Sequence, residues 1–267
     1  MQSINTNFAG LVAQRNLSKS ASNLTTTIER LSSGLRVNSA KDDAAGLAIA
    51  EKMNSQIRGQ EVAKRNANDG ISFMQVADGA LSTVSDNLQR MRDLAVQSQN
   101  GTLSADDRTN LNTEFQALSS EITRVAASTK FNGNDVFSAT ARNISIGANT
   151  TTDDVLSVTV GTLATVTGGV STEAAGKTAI DDIDAKIKAV TTTRAQLGAN
   201  INRVESAISN LDTNTTNLST ARGRIVDADF AKESAALTRT QILQQAGTSM
   251  MSQANQIPQG VLSLLGR

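Results

Sequence analysis

The feature that most constrains this chain is a run of residues spaced alternately three and four apart. Ile180, Ile183, Ile187, Val190, Arg194, Leu197, Ile201, Val204, Ile208, Leu211, Thr215 and Leu218 keep that alternation for eleven steps. Such spacing turns one stripe of a helix toward a partner helix along its whole length. Pro258, the single proline, stands near the C-terminal end of 267 residues, so the strongest helix breaker is absent almost everywhere. The run predicts a helix from about Ala179 to Ala221. Arg194 and Thr215 interrupt its apolar character and either set register or mark where the stripe turns to solvent.

The same alternation recurs elsewhere. Leu17, Ala21, Leu24, Ile28, Leu31 and Leu35 follow it, with Ile4, Phe8 and Leu11 in another phase upstream, which predicts an N-terminal helix with one stutter near residues 12 to 17. Met74, Ala77, Leu81, Val84, Leu88, Met91 and Ala95 predict the second half of a helix from about Asp43 to Gln99, closed by Asn100-Gly101. Ser104 and Asp107 have capping-box spacing, so a third helix is predicted near 104 to 129, carrying Leu111, Phe115, Leu118, Ile122 and Val125 inward. In the C-terminal stretch Leu243, Met250, Ile257 and Leu264 recur every seven residues, with Ala254 and Val261 in the companion position. Between the third and fourth helices, about 130 to 175, the Thr- and Ser-rich texture predicts short strands, an exposed surface and the natural place for variation. The fold class is therefore mainly α: a long-helix coiled-coil rod of three long helices plus a small β-hairpin region, with a terminal two-helix coiled coil made of N- and C-terminal segments.

The terminal seams differ from the middle ones. Ordering about 40 terminal residues costs more backbone entropy than about ten apolar side chains return. The ends are therefore expected to be largely unfolded in a monomer and to fold when copies meet.

Composition narrows the chemistry. Histidine and cysteine are absent, which removes Cys/His zinc sites, His-dependent nucleophile systems and disulfides. Twenty-five basic residues balance 25 acidic ones, so there is no charge footprint for nucleic acid and little electrostatic barrier to self-association. Residues 1 to 20 have no signal-peptide core, no stretch approaches a membrane span, and no nucleic-acid or membrane partner is expected. Gly176-Lys177-Thr178 imitates a phosphate-binding loop, but Ser171 stands where the first glycine belongs, so a turn leading into a helix is expected. Paired acids occur at Asp42-Asp43, Asp106-Asp107, Asp153-Asp154 and Asp181-Asp182. Three of the four lie at predicted helix starts, where capping explains them better than catalysis. Asn66-Ala67-Asn68-Asp69-Gly70 has Arg65 at the first ligand position of a would-be calcium loop and is expected to be helical surface, with a glycine for close packing. No catalytic, cofactor-binding or metal-binding residue is expected, and no cofactor.

The run from Ser3-Ile4-Asn5-Thr6-Asn7 through Glu29-Arg30-Leu31-Ser32-Ser33-Gly34-Leu35-Arg36, the block from Ala40 to Ile49, and Arg65 to Ser72 closely resemble bacterial flagellin. So do Phe131-Asn132-Gly133, Ala221 to Phe230, and the tail from Gln256 to Leu265. The resemblance implies a structural subunit, not an enzyme, that polymerises into the filament of the bacterial flagellum. It implies an inner domain from residues 1–40 and 224–267, and a rod domain from 41–223 whose short middle leaves no large outer domain. The polymerisation seams would be Leu17, Leu24, Ile28, Leu31 and Leu35 at one end, and Leu243, Met250, Ile257, Val261 and Leu264 at the other. The implied partners are further flagellin copies, an export chaperone on the C-terminal helix, and the filament cap and hook-junction proteins. The implied route is unfolded export through the flagellar type III apparatus to an extracellular filament. Gln89 to Gln97 resembles the segment recognised by a vertebrate Toll-like receptor, with Arg90, Leu94 and Glu114 at the contact positions. A hook–filament junction protein shares the terminal motifs, and a secreted coiled-coil adaptor would also explain the heptads; self-polymerisation into long tubes separates both from flagellin.

Overall fold

The computed structural model describes residues 6–149, 151–163 and 165–265, with side chains through Gln256. The chain is 76% helical. Its elements run α1 (Phe8–Ser33), α2 (Ala44–Ser98), α3 (Ala105–Ser128), β1 (Lys130–Phe131), β2 (Asn134–Asp135), β3 (Arg142–Ser145), β4 (Val155–Val158), α4 (Glu173–Val226) and α5 (Phe230–Leu265). They form two compact units: residues 1–55 with 217–267, and residues 56–216. The first takes in more of α2 and α4 than the expected limits at 40 and 224.

In the second unit the apolar alternation becomes core. Met74, Ala77, Leu81, Val84, Leu88, Met91 and Ala95 of α2 are all at most 2% exposed. Phe115 and Ile122 of α3 and Ile183, Leu197 and Val204 of α4 meet the same limit. The α2 stripe extends at both ends through small residues, since Ala63, Ala67, Gly70 and Ser98 are buried in the same phase. Two glycines explain how closely elements approach it. A Cβ on Gly70 would lie 2.7 Å from Ile144 of β3, and one on Gly176 would lie 2.4 Å from the Ser98 hydroxyl. The Asn66 to Gly70 stretch is thus helix with a glycine under the strand.

Antiparallel polar pairs tie α2 to α4. Arg194 donates to Asp78 at 2.8 Å, Arg92 to Asp184 at 2.7 Å, Lys64 to Asp212 at 2.7 Å, and Thr215 to Gln60 at 2.9 Å. Both polar intrusions of the long alternation therefore face α2 partners. Exposed or half-exposed pairs of this kind contribute little to stability, so their main effect is on register.

Helix ends are fixed by caps. The Ser104 hydroxyl accepts from the Asp107 N–H at 3.1 Å, and the Asp107 carboxylate accepts from the Ser104 N–H at 3.0 Å. Arg108 donates to the carbonyls of Ser98, Asn100 and Leu103, satisfying the end of α2 and the turn after it. Asp43 caps α2 through the Gly46 N–H at 2.8 Å.

The predicted helix starting near Ala179 instead begins at Glu173, because the Thr172 hydroxyl accepts from the Ala175 N–H. Lys177 consequently sits in the first turns and pairs with Glu173 at 3.0 Å, with no phosphate loop around it. Asp181-Asp182 falls inside α4 rather than at its start, and Asp182 pairs with Lys186.

The stretch 130–175 also departs from expectation. Its strands form two antiparallel pairs, β1 with β2 and β3 with β4. The β1–β2 turn places Asn132 and Gly133 at φ 49° and 79°, the left-handed region that Asn and Gly tolerate. The stretch as a whole is not a loose exposed surface. Val136, Leu156, Val158, Val160, Val166 and Val170 are buried, and α3 straps the last loop through Asn112, Gln116 and Ser119. Thr and Ser occupy the outward positions and hide the valines between them.

Candidate functional site

The first unit is built around an antiparallel pair, α1 with α5. Asn7 donates to the Ala254 carbonyl at 3.0 Å, Leu17 lies against Gly247, and Arg30 approaches Glu233 at 3.5 Å. The facing positions on α1 are Gly10, Ala13, Leu17, Ser20, Leu24, Thr27 and Leu31, an unbroken three-four alternation. On α5 they are Leu237, Thr240, Gln244, Gly247, Met251 and Ala254, again in phase. The positions of this set that are fully buried, Gly10, Thr27, Thr240 and Ala254, are small, while the larger Leu and Met251 side chains on it stay half-buried. Thr27 and Thr240 can be buried because each hydroxyl donates to a carbonyl of its own helix, Asn23 and Ala236.

This seam corrects the sequence reading in three places. Helix α1 is continuous and its buried set keeps one phase, so there is no stutter. Ile28 is 49% exposed while its neighbour Thr27 is buried. Leu243 and Met250 are half or more exposed at the rim of the pair, and it is the companion position, represented by Ala254, that is buried. Leu17, Leu24 and Leu31 lie on the α1 seam half-buried, and Leu35 lies half-buried beyond it, bridged to Asp227. The side chains of Ile257, Val261 and Leu264 lie outside the described residues.

A second, outward stripe results. Phe8, Leu11, Val12 and Ile28 on α1, with Phe230, Ile242, Leu243 and Met250 on α5, are between 42% and 76% exposed. Phe8, Val12, Leu17, Leu243 and Met250 line one groove of about 960 Å³ along the pair. Contiguous apolar surface of this kind marks an interaction site. Below the pair, the segment after Gly34 is bonded to the end of α4. Ala228 donates to the Gly34 carbonyl at 2.9 Å, and the Arg36 guanidinium donates to the Ile225 carbonyl at 2.6 Å.

The Arg90, Leu94 and Glu114 set divides. Arg90 donates to Glu114 at 2.8 Å on the surface of the second unit, whereas Leu94 is 1% exposed and belongs to its core. Leu94 follows the inward α2 phase and is closed to a partner in this conformation. Among the described residues no group of three or more acidic, His or Cys side chains could hold a metal, and no helix is long and apolar enough to cross a membrane. Asp42 and Asp107 serve a turn and a cap: the Ser39 and Ser104 hydroxyls hold their carboxyls below the ordinary value.

A well-packed helical unit joined in one chain to a helix pair with apolar side chains on its outside defines a self-assembling structural protein. Residues 4–142 match the bacterial flagellin N-terminal helical region and residues 180–265 the bacterial flagellin C-terminal helical region. The chain belongs to the bacterial flagellin family. It is 46% identical to a flagellin of Halalkalibacterium halodurans, covering 98% of this chain and 99% of that one. It is 41% identical to the flagellar filament 33 kDa core protein of Treponema phagedenis, with 98% and 99% covered. The crystal structure of Bacillus cereus flagellin is similar at 29% identity and a TM-score of 0.51, over 59% of this chain and 94% of that one. A putative flagellar hook-associated protein of Vibrio parahaemolyticus shares the fold, with a TM-score of 0.61 at 15% identity, over 70% of this chain and all of that one. The protein is a short flagellin without large outer domains, a structural subunit that polymerises with further copies into the flagellar filament.

Proposed function

We propose that the outward stripe of α1 and α5, with Leu243 and Met250 at its centre, is the surface through which copies of this chain join. The observation that carries the reading is the exposure of Phe8, Leu243 and Met250, at 76%, 50% and 61%, beside a seam whose fully buried positions among the described residues are small or polar. Apolar side chains spaced along one face of a helix pair are costly in water and are covered when another helix packs on them.

Before assembly the same stripe needs shielding. An export chaperone covering α5 in the cytoplasm would supply it, and the chain then passes unfolded through the type III route to a growing filament outside the cell. There a cap protein guides addition at the distal end and hook-junction proteins link the base. The role is mechanical, without catalysis; the complete absence of His and Cys supports that reading. For a vertebrate Toll-like receptor, the exposed Arg90 and Glu114 pair is the part of the expected contact set that presents itself.

The test is the double variant L243D/M250D beside the parent chain, each incubated with a precipitating salt and viewed by electron microscopy. The expected result is long hollow filaments from the parent, none from the variant, and equal helicity of the two monomers by circular dichroism. Normal filaments from the variant would contradict the reading.

A further inference from the structure

We propose that Met250 is an oxidation-sensitive modification site whose conversion to the sulfoxide blocks assembly; the inference rests on the preceding reading of the α1–α5 stripe. Among the described residues the methionines have three kinds of setting. Met74 and Met91 are fully buried in the second unit. Met53 and Met251 are partly covered, Met251 by its place on the α1-facing seam. Met250 alone is fully open, 61% exposed, and it lines the apolar groove with Phe8, Val12, Leu17 and Leu243.

The chemistry follows from that placement. A thioether exposed to a peroxide or hypochlorous acid is oxidised in proportion to its access. With hydrogen peroxide, the Met250 sulfur lone pair attacks one peroxide oxygen. The O–O bond breaks, an S–O bond forms, and the departing hydroxide is protonated to water. Sulfur loses two electrons and the peroxide gains them. The product carries a strong hydrogen-bond acceptor at the centre of a surface that another helix must cover without water. A buried acceptor with no donor disfavours that packing. From α1 the groove is lined by apolar Phe8, Val12 and Leu17 and by polar Asn16, Lys19, Ser20 and Asn23, so the cost of the sulfoxide lies in stripping its water where an incoming helix brings apolar side chains against it. The modification is also reversible by methionine sulfoxide reduction, so the site can recover.

The experiment treats the full-length monomer with hydrogen peroxide, follows each methionine by peptide mass spectrometry, and measures polymerisation by sedimentation. Met250 should be oxidised before Met74 and Met91. Polymerisation should fall as Met250 sulfoxide accumulates, and return after methionine sulfoxide reductase treatment. M250L should polymerise and should resist peroxide, while M251L should remain sensitive. Undiminished polymerisation of chains fully oxidised at Met250, or equal peroxide sensitivity of M250L, overturns the inference. Untreated M250D separates the two levels. If it assembles normally, the stripe reading falls and this inference with it. If it fails to assemble while the Met250 sulfoxide form succeeds, only the oxidation inference is lost.

Discussion

The two units use one periodicity for opposite ends. In residues 56–216 the three-four alternation carries Leu, Ile, Met and Phe inward, and the largest of these are essentially without solvent contact. In residues 1–55 with 217–267, the buried positions on α1 and α5 among the described residues are Gly10, Thr27, Thr240 and Ala254, while Phe8, Ile28, Leu243 and Met250 remain outside. The first arrangement supplies its own core. The second holds two helices in register and leaves large apolar side chains exposed. A heptad thus indicates that a helix has a partner, and the size of the buried residues indicates how much apolar surface that partner covers.

The largest effect on a monomer should come from the self-sufficient unit. Phe115 is fully buried, so Phe115→Ala should lower stability by about 3–5 kcal/mol in chemical denaturation, through lost transfer energy plus a cavity. A loss below 1 kcal/mol would show that the second unit is not the stable part.

Glycines sharpen the contrast through sign. Gly176→Val should destabilise by about 1–3 kcal/mol, because its Cβ would press on the Ser98 hydroxyl and lie 3.1 Å from the Ala95 carbonyl. Gly79 and Gly198 are interior to α2 and α4 with open space where a Cβ would stand. Each substitution to Ala there should stabilise by up to about 1 kcal/mol on helix propensity alone. Thermal melts of the three variants check both signs.

The α3 cap gives a smaller effect with a pH signature. Ser104→Ala should cost about 1 kcal/mol near neutral pH. In the folded chain the Ser104 hydroxyl and N–H hold the Asp107 carboxyl below its ordinary value of 3.8. Its contribution is therefore fully present above 3.8 and fades as pH falls through the lowered value. Asp107→Asn should flatten the loss of stability on acidification, as read from denaturation midpoints between neutral pH and the acid limb. The smallest monomer effect should be at the stripe: Leu243→Ala and Met250→Ala should each change monomer stability by no more than about 0.5 kcal/mol, because both side chains are already in water.

Much of this was legible in the residues. The α2, α3 and α4 stripes were readable because their buried positions carry large apolar groups that dominate any periodic pattern. The phase of the α1–α5 seam was not, because Gly10, Ser20, Thr27 and Gly247 carry little hydrophobic signal and the large side chains nearby belong to the other face. The start of α4 was missed for a related reason: Thr172 caps it ahead of the first periodic apolar residue, and Gly176 reads as a breaker although it serves close packing. The three-four run ends at Leu218, so the predicted end near Ala221 falls short, whereas α4 continues to Val226, where Arg36 donates to its terminal carbonyls. Valines spaced among Thr and Ser in 155–170 concealed a strapped loop. Arg90, Leu94 and Glu114 were named by resemblance alone; the structure puts Arg90 and Glu114 in contact on the surface and turns Leu94 inward.

Hydrogen exchange on the full-length chain, compared between dilute monomer and assembled filament, tests the central claim most directly. The account predicts that amides of α3 and of residues 74–95 in α2 are protected in both states. Amides of α1 and α5 should exchange quickly in the monomer and become protected only in the filament. Strong protection of α1 and α5 in the dilute monomer, equal to that of α3, would contradict it and make the terminal pair a self-sufficient fold.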